Sequence, residues 1–140
     1  MKKYLPSLVW YEPFEPFGYA FIRFGAGAIL AAHGVGRLFY GVSTAELGIL
    51  KGLSASSVGG FELAAGVLLA LGLLTRPVAL LFALEWLAIA LATPVRPPAT
   101  NWFMQGATPH YPAFVAAFCL AFLIRGGGFY SLDRLIGKEV

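Results

Sequence analysis

Apolar stretches at residues 17–39, 58–74 and 77–93 each match or exceed the roughly 17 residues a helix needs to cross a bilayer, and 111–124 makes a shorter fourth. The rest of the composition leaves little room for a water-soluble alternative. Of the 140 residues 59% are hydrophobic and 12% charged, where a soluble domain carries about 25% charged residues. Mean hydropathy is +0.75. The chain therefore reads as all-α, an integral membrane four-helix bundle with helices over about 17–39, 58–75, 77–94 and 111–125. No self-similar period runs through it, so residues 1–140 are expected to form a single transmembrane domain.

Charge reports orientation. The net charge of +3 comes from basic residues scattered singly between the apolar runs, with no basic patch interleaved with aromatics, so no nucleic-acid partner is expected. Placing both termini in the cytoplasm puts Lys2, Lys3, Arg76, Arg125, Arg134 and Lys138 inside and leaves Lys51 and Arg96 in the two outer loops. Residues 1–16 mix prolines with Trp10, Tyr11 and Phe14, which suits a short interfacial N-terminal arm at headgroup level. The sequence GLLTRP ends the second run, and Pro77 falls in the first turn of the third, so these two helices make a tight antiparallel hairpin.

The informative residues are the ionisable ones inside the runs: Arg23, His33, Arg37, Glu62 and Glu85. Each charge in hydrocarbon costs roughly 2.5–3.5 kcal/mol on insertion scales, so each needs a partner. With a rise of about 1.5 Å per residue, His33 lies on the order of 7 Å outside the midplane, level with Glu62, and Arg37 roughly one turn further out. Glu62 can therefore reach His33 or Arg37, whereas Arg23 sits on the inner half and Glu85 near the middle. Two readings follow. Arg37 with Glu62, and Arg23 with Glu85, can be buried ion pairs that fix register. Alternatively His33 and Glu62 are catalytic proton carriers, as a quinone headgroup needs when it is reduced or oxidised, with Arg37, Arg23 and Glu85 as substrate- or anion-binding residues.

Other chemistries have weaker support. His33, His110 and Glu62 lack a spacing that demands a metal, and none is expected. Trp102 and His110, in the aromatic stretch before the fourth run, are the candidates for flanking a flat cofactor ring. An interfacial belt is the commoner use of such aromatics. Cys119 is alone in the chain, which rules out an internal disulfide or thiolate cluster.

The pattern RFGAGAILAAHGVGRLFYG, then GGFELAAGVLLALGLLTRPVAL, then GGGFYSLDRL resembles the DoxX/DoxD-like family of small four-helix membrane proteins. The carrying features are His33-Gly34 with a following basic residue, Glu62 with Gly66 and Gly72 ahead of Thr75-Arg76, and Ser131-x-Asp133. The resemblance spans residues 17–135. Where many members carry Lys, this chain has Arg37. The resemblance implies a multi-pass protein of a prokaryotic inner (plasma) membrane, a subunit of an oxidoreductase that supports thiosulfate or thiol oxidation with quinone as the bound species. It also leaves room for a non-catalytic structural or assembly subunit. Expected partners are the bilayer and either larger membrane proteins or further copies of the chain.

Overall fold

A computed structural model describes residues 13–40, 54–92 and 110–137. Among these residues there are five helices and no strand: α1 (Glu15–Phe39), α2 (Ala55–Leu71), α3 (Thr75–Ala92), α4 (His110–Arg125) and α5 (Leu132–Leu135). The four long helices fall within a few residues of the apolar runs. α3 is long and apolar enough to cross a membrane by length and composition, and Ser56–Leu71 and His110–Arg125 are apolar but shorter. The arm at residues 1–12 and most of the aromatic stretch before α4, including Trp102, lie outside the described residues.

Local chemistry sets the helix ends. Pro16 stands in the first turn of α1, where its missing N–H has no intrahelical partner to lose. The Ser54 side chain caps α2 by accepting from the Ser57 N–H at 3.2 Å. Gly72 ends α2 in the left-handed region at φ 71°, and α3 begins three residues later, so α2 and α3 run antiparallel.

α1 packs along α2, α3 packs along α4, and α2 touches α3 less extensively. The α1 and α2 backbones meet through glycines seven residues apart on each helix. A Cβ on Gly34 would stand 2.5 Å from the Gly59 carbonyl oxygen, and one on Gly66 would stand 2.8 Å from the Gly27 carbonyl oxygen. No side chain fits there, and the close approach is what small residues at membrane helix interfaces permit. The helix-packing spacing of small residues points to Gly25, Gly27, Ala31 and Gly34 on α1 and to Gly60, Ala64 and Gly66 on α2. Gly27, Ala31, Gly34 and Gly66 do lie in the contact, but Gly59 takes the place expected of Gly60, and a Cβ on Gly25 or Gly60 meets nothing within 4 Å.

α5, which the apolar pattern does not foretell, locks one end. Asp133 is only 4% exposed. It accepts from the Leu74 N–H at 2.7 Å, the Thr75 N–H at 3.0 Å and the Thr75 hydroxyl at 3.1 Å, and its own N–H donates to the Gly72 carbonyl at 3.0 Å. A residue of the last helix thus caps α3. Asp133→Ala leaves those buried donors bare and is expected to cost about 2 kcal/mol, read as a lower thermal unfolding midpoint. An unchanged midpoint would show that the cap contributes nothing.

Candidate functional site

On α2 the residues Val58, Glu62, Ala65 and Leu69 are all buried, a run at helical spacing that forms the inward face of the helix. Glu62 replaces one apolar position in that stripe. It is 0% exposed, and its carboxylate needs a partner inside the protein.

Arg37 of α1 supplies it. The Arg37 Nη1 donates to Glu62 Oε1, and Glu85 Oε1 of α3 lies 3.8 Å from the same Nη1. One guanidinium therefore serves two carboxyl groups from two other helices. The second oxygen of each carboxyl, Oε2 in Glu62 and in Glu85, is buried with no hydrogen-bond partner among the described residues. Buried polar atoms are rarely left so, and here both belong to carboxyl groups that share one cation through their other oxygens.

His33 stands one turn before Arg37 on α1. Its Nε2 shares a hydrogen bond with the Tyr111 hydroxyl of α4 at 3.2 Å. The His33 ring meets Trp86 edge-on at 5.4 Å between centroids, and Trp86 meets Tyr111 edge-on at 5.6 Å. Trp86 is 3% exposed, and its indole N–H has no acceptor among the described residues. Three helices thus bring His33, Trp86 and Tyr111 into one aromatic group beside the charged trio.

Arg23 goes elsewhere, which corrects the expected pairing with Glu85. Its guanidinium donates to the carbonyls of Gly127 and of Tyr130, the latter at 2.7 Å. The reason is distance along the helix. Arg23 precedes Arg37 by fourteen residues, or about 21 Å of rise, which puts it at the α5 end. There the turn after α4, with Gly126 and Gly128 at positive φ, presents its carbonyls to α1, and the Tyr19 hydroxyl also donates to the Gly126 carbonyl at 2.5 Å. Arg23 is 3% exposed and belongs to this lock. With Arg23 engaged there, Glu85 takes Arg37.

His110 is exposed at the first residue of α4, and Trp102 lies outside the described residues. Sequence reasoning missed Trp86 and Tyr111. Trp86 falls in the inward stripe of α3 with Val78, Phe82 and Ile89 and so reads as plain core, and Tyr111 reads as an interfacial aromatic. The available signal was adjacency, because Trp86 follows Glu85 and Tyr111 follows His110.

A model of the family described as DoxX matches residues 18–95, which spans nearly all of α1 and the whole of α2 and α3. No curated protein and no solved structure matches the chain.

Proposed function

Since the chain belongs to the DoxX family, and that membership supports a membrane protein, we propose that it is a membrane-embedded subunit of an oxidoreductase in which the buried cluster handles protons for a quinone. In this reading the four long helices form a bundle across the bilayer. Arg76, Arg125 and Arg134 are all exposed toward the α5 end, which supports placing that end on the cytoplasmic side. Arg37, Glu62 and Glu85 then lie toward the opposite face.

The observation that carries the reading is the imbalance of the trio: two carboxyl groups and one guanidinium, with two carboxyl oxygens unpartnered. Neutrality in an apolar interior calls for one more positive charge, and a proton shared between the two carboxyls supplies it. Reducing a quinone takes two electrons and two protons and yields the quinol. The electrons come from a donor of the thiosulfate or thiol class held by a partner protein. This chain's part is to deliver protons, through Glu62 and Glu85, with His33 and Tyr111 linking them toward the ring. No redox centre of its own is required.

A second reading has a specific observation behind it. Arg37 ties α1, α2 and α3 together, which suits a non-catalytic subunit that docks larger membrane proteins and whose buried ions serve only as a clasp. Glu62→Gln separates the two. The shape is kept and Glu85 still neutralises Arg37, so the fold and the partners are expected to survive while donor-driven quinone reduction in native membranes falls about 10²-fold. Loss of co-purifying partners, with the turnover of each intact complex unchanged, overturns the proton role in favour of the clasp.

A further inference from the structure

α1 and α4 are tethered toward both ends and stand apart between. At one end the Tyr19 and Phe122 rings meet at 5.9 Å, and toward the other His33 bonds Tyr111. Between these tethers lies a groove of about 370 Å³, within the range of about 300–1,000 Å³ usual for small-molecule sites. Ile22, Gly25 and Ile29 line one wall and Phe114 and Phe118 the other, over about 13 Å of α1. Tyr111, at one end, brings the one hydroxyl among the lining side chains, and Cys119 brings a weakly bonding thiol. Tyr111 leads directly to His33 and to Trp86, whose buried N–H has no acceptor among the described residues.

This shape selects its occupant. Apolar walls with a single hydrogen-bonding end fit an amphiphile with one tail, and the strip between two helices is too small for a pair of acyl chains. The head is neutral, because the cation nearby, Arg37, is already held by two carboxyl groups and none is left for a phosphate or a fatty-acid carboxylate. It is flat, because the Tyr111 ring closes the end and the His33 and Trp86 rings stand directly behind it. We propose that the groove between α1 and α4 admits a prenylated quinone sideways from the membrane, holding the isoprenoid tail along Gly25 while the ring carbonyls meet Tyr111, His33 and Trp86. This rests on the quinone reading above and adds what the site selects for. A tail leaving lipid gains no hydrophobic driving force, so selection comes from fit to the groove walls.

Gly25 gives the test its handle. A Cβ there meets nothing within 4 Å, so Leu is accommodated by the fold yet fills the channel. Trp10→Phe with Trp102→Phe leaves Trp86 as the sole indole of the chain, and quinones quench indole fluorescence. In phosphatidylcholine nanodiscs, ubiquinone-2 is expected to quench Trp86 saturably. Gly25→Leu is expected to raise its half-saturating mole fraction about tenfold, equivalent to roughly 1.4 kcal/mol. Tail-less ubiquinone-0 is expected to quench both proteins alike, which also certifies that the variant folds. Phe114→Ala, which removes one wall without adding bulk, is expected to weaken ubiquinone-2 selectively as well. Oleate is expected not to compete. Equal ubiquinone-2 binding in all three proteins overturns the groove and leaves the quinone reading standing. Displacement of ubiquinone-2 by oleate overturns it in favour of a fatty-acid site. Absence of saturable quenching by either quinone removes the quinone reading and the groove together.

Discussion

Arg37→Met is expected to destabilise the protein by about 3–5 kcal/mol, the loss typical when one partner of a buried ion pair is removed. The substitution keeps most of the side-chain volume but leaves Glu62 and Glu85 facing each other with no cation. Adding Glu62→Gln and Glu85→Gln to the same chain is expected to restore most of the loss, because a neutral set of similar shape has no desolvated charge to compensate. Thermal unfolding in mild detergent compares the four proteins: the parent, Arg37→Met, the Glu62→Gln and Glu85→Gln pair, and the triple variant. The pair alone is expected to be destabilised too, since it strands Arg37. If Arg37→Met unfolds at the parent's temperature, the three side chains are not an electrostatic unit and the proton site loses its basis.

The second large effect concerns packing. Gly27→Leu places a side chain where a Cβ alone would stand 2.6 Å from the Gly66 carbonyl oxygen and 2.7 Å from the Ala70 Cα. Backbone cannot step aside as a flexible side chain does, so α1 must move off α2. The expected cost is about 3 kcal/mol or more, at the upper end for overpacking. Because Arg37 and Glu62 sit on the same pair of helices, their contact is expected to open as well. Gly60→Leu is the control. Its Cβ has open space, and the change is expected to stay within about 0.5 kcal/mol of the parent. Thermal unfolding of both variants checks the contrast, and equal midpoints would mean that the tight seam does not hold the helices.

Helix extents were readable because long apolar runs and capping residues act locally. A depth count that needs only helix rise and alternating direction narrows the partner of Glu62 to His33 or Arg37, and the structure gives it Arg37. Glu85 escapes that count. Its choice between Arg23 and Arg37 turns on the three glycines after α4, whose turn captures Arg23 at the far end. In the sequence nothing about GGGF says that its carbonyls will face α1. Gly59 and Gly60 are told apart by about 100° of helix rotation, which composition does not encode. The groove is less legible still, since it exists where α1 and α4 fail to close, and a pattern of apolar residues looks the same on a filled face and an open one.

The lock at the α5 end constrains how the chain can be made. Tyr19 bonds Gly126, Arg23 bonds Gly127 and Tyr130, and Leu74 and Thr75 bond Asp133, contacts that join residues separated by 107, 104, 107, 59 and 58 positions. During synthesis α1 is made while the acceptors of Arg23 are still untranslated, and the start of α3 emerges without its cap. Arg23 has both its acceptors only after Tyr130 has been added, and the start of α3 has its cap only after Asp133. A chain halted before Gly127 therefore carries a naked guanidinium in its first helix and an uncapped start on its third.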